Sequence, residues 1–274
     1  MSFTQEAEVA VAALEAAQAL VRRIYASRFA VDWKGVGDPV TQADREANAV
    51  IVAALKAAFP HDVICAEEGE EGDNREAATR GGRCWFVDPL DGTREFVDRN
   101  GEFCIMLGLA VDGVATFGAI AIPETGRFVL GDPSRGLRVR DGDGDWHPLA
   151  APVPAAHAPL RAVVSRSHPN PAVLDVLKEA GVDTLRPCGS VGLKVERVLS
   201  GEAEVYLHLG RGPKLWDTCA PEALARAAGL SVTRADGQAL SYQTAALGVD
   251  DGFLVARPAL AETVLRALES KRAL

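Results

Sequence analysis

Positive charge is in short supply in this chain. Its 29 Lys and Arg are outnumbered by 38 Asp and Glu, for a formal net charge of −9 and a pI near 5.1. That deficit excludes broad, nonspecific binding to nucleic acid, which needs a basic surface. Cysteine is sparse as well. Cys65, Cys84, Cys104, Cys188 and Cys219 make an odd set with no Cys-x-x-Cys pair. This argues against a disulfide framework or a zinc site and suits a reducing compartment. No run reaches the roughly 18 apolar residues of a membrane span. The start is acidic and alanine-rich, without a basic-then-apolar leader, so the expected location is cytoplasmic. What is present is ordinary globular material: 274 residues, 48% hydrophobic and 24% charged. That is enough for one large domain or two modest ones, each with a real core.

Residues Thr4 to Phe29 carry Val9, Ala13, Ala16, Leu20 and Ile24 at helical spacing, so a long amphipathic helix is expected. Gly35, Gly37 and Pro39 read as a loop. A second helix is expected from Thr41 to Phe59, where Thr41-x-x-Asp44 resembles a capping box with Asp in place of Glu. Val63 to Ala66 is a short apolar strand ending at Glu67-Glu68, a pair that by itself reads as solvent-facing. Glu70 to Gly82 has the composition of a mobile surface loop. Apolar runs at Phe103–Val111 and Val114–Ile122 meet at Asp112-Gly113, a hairpin signal. Arg127–Leu130 and Gly136–Arg140 extend the same antiparallel sheet. Asp141-Gly142-Asp143-Gly144-Asp145 fails as a calcium loop, since Trp146 and Pro152 stand where Gly and Glu are required. It reads as a hairpin turn.

Pro152, Pro154 and Pro159 mark the best candidate boundary. It divides the chain into an N-terminal domain, 1–157, and a C-terminal domain, 158–274. Beyond it strands and helices alternate: strands at Arg161–Ser165, Thr184–Arg186 and Ala203–Leu207, helices at Pro171–Ala180, Val191–Leu199, Thr218–Ala228 and Ala259–Leu268. Alternation of this kind implies an α/β layer.

The stretch with chemistry in it is Trp85-Phe86-Val87-Asp88-Pro89-Leu90-Asp91-Gly92-Thr93. An apolar run reads as a buried strand that Pro89 ends, because proline cannot donate to a ladder. Asp88 and Asp91 then flank a tight corner, Gly92 allows unusual backbone angles, and Thr93 offers a hydroxyl where a helix can begin. Hard cations such as Mg²⁺ favour the carboxylate and carbonyl oxygens found here. An Asp-Gly turn and a capped helix, with no chemistry, fit the same residues.

Asp-Pro-Leu-Asp-Gly-Thr after an apolar strand resembles the metal-binding signature of the inositol monophosphatase superfamily. These are Mg²⁺-dependent, lithium-sensitive phosphomonoesterases. The resemblance implies a layered αβαβα sugar-phosphatase fold, an α+β architecture with an antiparallel-sheet N-terminal half and an α/β C-terminal half. It also assigns roles. Glu67, Asp88, the Leu90 carbonyl, Asp91 and Asp217 become ligands for two or three Mg²⁺ ions, with Asp88 as the bridge. Asp44 and Thr93, with Glu67, become the catalytic group that orients and deprotonates a water. Amides after Gly92 cradle the phosphate. Read alone, Asp44 is a helix cap and Asp217 is the N-cap of the helix that follows it.

Trp216-Asp217-Thr218-Cys219-Ala220-Pro221-Glu222 departs from the commoner Trp-Asp-x-Ala-Ala-Gly. It resembles the branch acting on 3′(2′),5′-bisphosphonucleosides. Ser165-Arg166-Ser167-His168 and Gly189-Ser190-Val191-Gly192-Leu193-Lys194 resemble that branch's substrate loops. Substrate contacts are thereby implied for Gly92, Thr93, Ser165, His168, Ser190, Lys194 and Asp217. Outside the resemblance His168 reads as a surface loop histidine and Lys194 as a solvated helix residue.

The implied activity is removal of the 3′-phosphate of 3′-phosphoadenosine 5′-phosphate, with the phosphosulfate analogue as a further substrate, within sulfur metabolism. No Walker-type loop ending in Lys-Ser/Thr is present, which favours hydrolysis over transfer from ATP. The rival substrate is inositol 1-phosphate. The rival class is a regulatory binding protein that keeps the fold. No nucleic acid or membrane is an expected partner, and a monomer or homodimer is expected.

Overall fold

The computed structural model describes residues 4–35, 38–150 and 158–272. Helix α1 (Gln5–Tyr25) is capped by Thr4, whose hydroxyl accepts the Ala7 amide at 3.2 Å, and it buries a stripe of Ala7, Ala10, Leu14, Ala17, Val21 and Ile24. A hairpin of β1 (Val31–Gly35) and β2 (Asp38–Thr41) leads straight into α2 (Gln42–Ala58). Small residues on both helices let them lie close together on one face of a sheet.

That sheet has seven strands: β3 (Val63–Ala66), β4 (Arg83–Asp91), β5 (Cys104–Val111), β6 (Val114–Ile122), β7 (Arg127–Asp132), β8 (Gly136–Asp141) and β9 (His147–Leu149). They are neighbours in chain order. β3 runs parallel to β4, and every later pair is antiparallel. At the β5–β6 corner Asp112 (φ 49°) and Gly113 (φ 78°) are both left-handed, as a two-residue hairpin requires.

The second sheet has order β11-β10-β12-β14-β13, from β10 (Arg161–Ser165), β11 (Thr184–Cys188), β12 (Val205–His208), β13 (Ser231–Thr233) and β14 (Phe253–Ala256). β10, β11 and β12 are mutually parallel. Helices α6 (Val191–Leu199) and α7 (Leu215–Ala227) fill the space between the two sheets, and α5 (Pro171–Glu179) and α8 (Pro258–Arg272) cover the far face. The result is five layers, αβαβα, with one apolar core in each outer seam and a third spanning both faces of the middle helical layer. The central core is continuous from Phe86, Met106 and Ile120 through Cys219 and Leu224 to Val163 and Val255. Two sheet glycines set the spacing there. A Cβ on Gly108 would fall 2.6 Å from the Ala220 nitrogen, and one on Gly118 2.4 Å from the Ala220 oxygen.

Four local expectations change. Pro89 does not end its strand: β4 continues to Asp91 because the ladder is bulged there, Asp88 facing Met106 and Asp91 facing Cys104. One extra residue fits between those pairs, so the missing proline N–H costs no ladder bond. Glu70–Gly82 is not a loop but holds α3 (Glu71–Thr79). Its Asn74 side chain clasps Ala66, accepting from the amide at 2.9 Å and donating to the carbonyl at 2.7 Å. The residues around Gly35 and Pro39 form the β1–β2 hairpin, while residues 36 and 37 lie outside the described residues. Finally, α7 starts at Leu215 rather than Thr218, which moves Asp217 inside the helix. Most of the Pro-rich boundary falls on 151–157, also outside the described residues.

Candidate active site

Bulging of β4 aims Asp88 and Asp91 into one cleft. The Asp88 carboxylate accepts the Leu90 amide at 3.0 Å, which fixes the corner from within. Gly92 then takes φ 96°, and a Cβ there would meet the Glu102 carbonyl at 2.7 Å. Only glycine turns the chain here without collision. Thr93 opens the short helix α4 (Thr93–Val97).

Thr41 caps α2 and forms a full capping box with Asp44: its amide and hydroxyl donate to Asp44 Oδ2 at 2.7 and 2.6 Å. Asp44 Oδ1 accepts the Thr93 hydroxyl at 2.9 Å, and Thr93 Oγ1 also lies 3.1 Å from the Leu90 carbonyl. The two sequence readings of Asp44 therefore coexist. One oxygen caps the helix and the other holds Thr93. Asp44 is fully buried, and burial raises its pKa against the lowering effect of these bonds.

The opposite wall comes from the carboxyl ends of the parallel strands. Ser190 caps α6 with an unusual φ of 58°, accepting the Leu193 amide at 3.0 Å. Its hydroxyl donates to Asp91 Oδ2 at 2.6 Å, and the Gly192 amide adds a second bond at 2.7 Å. Lys194, buried, donates from Nζ to the Ser190 carbonyl at 2.9 Å and lies 5.4 Å from the centre of the Tyr206 ring. Asp217 is at the third position of α7 and reaches back to the Lys214 amide at 2.7 Å. It acts as a cap from within the helix, not as its N-cap.

All this surrounds a cleft of about 530 Å³ lined by Glu67, Asp88, Leu90, Asp91, Gly92, Thr93, Ser165, His168, Ser190, Lys194 and Asp217. Every sequence-predicted site residue except Asp44 borders it, and Asp44 stands directly behind Thr93. Sequence reasoning missed Glu95, Tyr206, His208 and Arg211, which also line it, as does Ser167 of the predicted substrate loop. His208 sits at the carboxyl end of β12, and Tyr206 lies on the same strand. The rule that ligands gather outside the carboxyl ends of parallel strands was the available signal. Nothing in a five-residue helix marks Glu95 as buried.

The electrostatics of the cleft are one-sided. Burial, then Glu67, Asp91 and Asp217, push Asp88 well above the carboxylate range. Asp217 is pushed up to about 7, by burial and then by Asp91. Burial raises Asp91 too, against the Ser190 bond that lowers it. Asp88 and Asp217 are within hydrogen-bond reach of one another, and crowding of buried carboxyls raises both. Among the described residues no group of three or more His, Cys, Asp or Glu side chains is gathered to hold one ion. Asp88, Asp91 and Asp217 instead take donors of the chain: Leu90 N–H for Asp88, Ser190 O–H and Gly192 N–H for Asp91, Lys214 N–H for Asp217. The donor chemistry still fits a hard divalent cation. It is all oxygen, and its mutual repulsion is relieved by positive charge.

Five layers with an acidic, oxygen-lined cleft between the bulged strand and the parallel-strand ends define an αβαβα fold with one polar site between its halves. The inositol monophosphatase family profile matches residues 3–273, and the chain belongs to that family. It is 33% identical over 222 residues to the 3′(2′),5′-bisphosphate nucleotidase CysQ of Escherichia coli K12, covering 81% of this chain and 87% of that one. It is 33% identical over 207 residues to the 3′-phosphoadenosine 5′-phosphate phosphatase of Mycobacterium leprae, covering 73% and 71%. The crystal structure of CysQ from Bacteroides thetaiotaomicron superposes with a TM-score of 0.78 at 30% identity, over 93% of this chain and 98% of that one.

Proposed function

We propose that this chain is a Mg²⁺-dependent phosphomonoesterase that converts 3′-phosphoadenosine 5′-phosphate and water to AMP and phosphate, and that it also accepts the 5′-phosphosulfate analogue. The observation that carries the reading is the agreement of two independent features. The nucleotidase and phosphatase relatives match at 33% identity over most of the chain. The acidic cleft also carries, on its far wall, Lys194, His168 and Arg211, cationic or hydrogen-bonding groups that suit a second phosphate or a base. Glu67, Asp88, the Leu90 carbonyl, Asp91 and Asp217 would hold the ions. Bound Mg²⁺ supplies the positive field that admits a phosphate and makes water acidic enough to attack it.

The chain's own part is orientation and proton transfer. Thr93 donates its hydroxyl hydrogen bond to Asp44, so the lone pairs of Thr93 Oγ1 are free to accept from, and align, an attacking water. The water's proton passes to Thr93 as the Thr93 proton moves to Asp44, whose burial makes it a better base than an exposed carboxylate. Glu67 shares in this alignment from the end of β3. Amides opening α4 after Gly92 receive phosphate oxygens. Ser165, His168, Ser190 and Lys194 contact the nucleoside end.

The test is phosphate release from 3′-phosphoadenosine 5′-phosphate and from inositol 1-phosphate, with and without Mg²⁺ and with added Li⁺. Preference for the bisphosphonucleoside, loss without Mg²⁺ and inhibition by Li⁺ are expected. Hydrolysis of the inositol ester alone would refute the nucleotide assignment. A cellular role that survives Asp88→Asn would favour a binding protein.

A further inference from the structure

Glu102 is not a ligand and does not line the cleft, yet it touches three of the cleft's supports at once. Its carboxylate receives the Arg166 guanidinium in two parallel bonds, Nε at 2.6 Å and a terminal nitrogen at 2.7 Å. The same carboxylate accepts the Gly189 amide at 2.7 Å. Its main-chain carbonyl is the group that a Cβ on Gly92 would strike at 2.7 Å. One residue thus backs the Asp88–Thr93 corner, holds the 165–168 loop through Arg166, and holds the 189–190 loop through Gly189. Arg166 closes the arrangement by donating to the Pro187 carbonyl at 2.9 Å, next to the second loop. The Glu102 side chain is only 14% exposed, and Arg197 stands 4.0 Å away. These bonds hold its carboxyl below the usual range, the Arg166 bond most of all.

Glu95 grips from the other side of α4. It accepts the Ser167 hydroxyl, and its Cγ lies 2.3 Å from where a Cβ on Gly189 would be. The same two loops are therefore seated on two carboxylates of the first half of the chain. At its far end the 189–190 loop is tied separately, by Ser190 and Gly192 to Asp91. Removing Glu102 releases the start of that loop from the Gly189 bond and its neighbour from the Arg166 pair, while the Glu95–Ser167 and Asp91 bonds stay in place.

We propose that Glu102, through its bidentate pair with Arg166 and its bond to the Gly189 amide, is a positioning residue that holds the two substrate loops in register with the carboxylate corner. This rests on the functional reading above, in that those loops are taken to embrace the nucleoside. Loss of the clamp then weakens binding of the large substrate and spares the chemistry at the corner.

Three variants test it: Glu102→Ala, Glu102→Gln and Arg166→Ala. The last removes an exposed side chain and leaves the fold safe. With 3′-phosphoadenosine 5′-phosphate, Glu102→Ala and Arg166→Ala should each raise KM by about tenfold, the loss expected for a charged hydrogen bond, with kcat within about threefold. Glu102→Gln, which can still accept from Gly189, should fall between wild type and Glu102→Ala. The double variant should be little worse than either single one, because both break the same pair. With p-nitrophenyl phosphate, too small to span the loops, KM should stay within about twofold. Equal losses on both substrates, or no change in KM on the large one, would overturn the clamp.

Amide hydrogen exchange supplies a reading that needs no substrate. Residues 165–168 and 189–190 should exchange faster in Glu102→Ala and Arg166→Ala than in wild type, and unchanged protection would also overturn the proposal. If wild type leaves the bisphosphonucleoside intact, the functional reading fails, and exchange at the two loops still decides the clamp by itself.

Discussion

The two walls of the cleft are built on opposite plans. On one side Asp88, Leu90, Asp91, Gly92 and Thr93 are nearly consecutive, and main-chain geometry holds them: a bulge, a left-handed glycine and the Asp88 bond to the Leu90 amide. On the other side Ser165, His168, Ser190, Lys194 and Asp217 come from separate strand ends and helices. Carboxylates reaching across from the first side hold Ser190 and the loops that carry Ser165 and His168: Glu95 accepts from Ser167, Glu102 from Arg166 and Gly189, Asp91 from Ser190. A wall made by local backbone tolerates loss of a side chain without losing its shape. A wall made by side-chain bridges does not. Substitutions in the first should therefore abolish chemistry and leave stability alone, whereas substitutions in the second and its supports should change binding or stability first.

Asp88→Asn is the largest expected effect and the sharpest test of that division. Phosphate release should fall by about a thousandfold or more, on the scale of losing a principal charge-stabilising group. Yet the variant should melt no lower than wild type in Mg²⁺-free buffer, since an amide removes a buried carboxyl crowded by Glu67, Asp91 and Asp217. A variant that loses activity because it unfolds would break the comparison. Next in size are Asp44→Asn and Thr93→Ala, each expected to lower kcat by about a hundredfold, the lower end for proton-transfer groups, with a much smaller change in KM. Asp44 carries a cap as well as Thr93, so Asp44→Asn should also cost about 1 kcal/mol of stability, and Thr93→Ala less.

The same division explains what could be read from sequence. Asp44, Glu67, Asp88, Asp91 and Asp217 were recognisable because short motifs fix them, and the Thr41 capping box survives intact in the structure. Strands such as Val63–Ala66 and Arg161–Ser165 and the helix Val191–Leu199 were legible to the residue, because apolar runs with clean flanks decide them. What escaped depends on contacts between distant segments. Helix α3 exists because Asn74 clasps Ala66, which outweighs a composition typical of loops. Pro89 stays in its strand because the partner strand leaves it no bond to make. Glu95 and Glu102 look like surface acids until the 165–168 and 189–190 loops arrive from the other half. The true start of α7 at Leu215 was hidden because Asp217 also reads as the N-cap of a helix beginning at Thr218.

Glu222 extends the comparison to the middle layer, behind the second wall. It is buried on α7, accepts the Tyr242 hydroxyl at 2.8 Å, and has Arg226 at 3.6 Å. Burial dominates these partners and pushes its carboxyl up to about 7. A folded pKa above the unfolded value of 4.5 means the native state holds the proton more tightly. Its contribution to stability is full below about pH 4.5 and is lost as pH rises through 7, by about 3 kcal/mol at 1.36 kcal/mol per pH unit. Glu222→Gln keeps an acceptor for Tyr242 and cannot ionise. Urea unfolding at pH 4 and pH 8 should show the wild-type free energy falling relative to the variant by most of that amount. Parallel pH dependences for the two proteins would mean Glu222 is not buried as described.

The smallest effect expected is at Gly118, and it separates the walls most directly. Glycines 108 and 118 let α7, and with it Asp217, sit against the sheet that carries Asp88 on a neighbouring strand. Gly118→Ala places a methyl 2.4 Å from the Ala220 oxygen and 3.0 Å from Leu224 Cγ. Overpacking of this kind costs about 1–3 kcal/mol, and either the helix or the strand must move to relieve it. The corner at Asp88–Thr93 is tied by its own main chain, so the relief should come from α7. Movement of α7 carries Asp217 away from Asp88, whereas Asp91, held by Ser190 and Gly192, stays. Gly118→Ala should therefore weaken Mg²⁺ activation, raising the Mg²⁺ concentration for half-maximal rate several-fold, while the rate at saturating Mg²⁺ changes little. If the maximal rate collapses and the Mg²⁺ requirement is unchanged, the strain has gone into the sheet, and the corner is less self-supporting than its bulge and glycine imply.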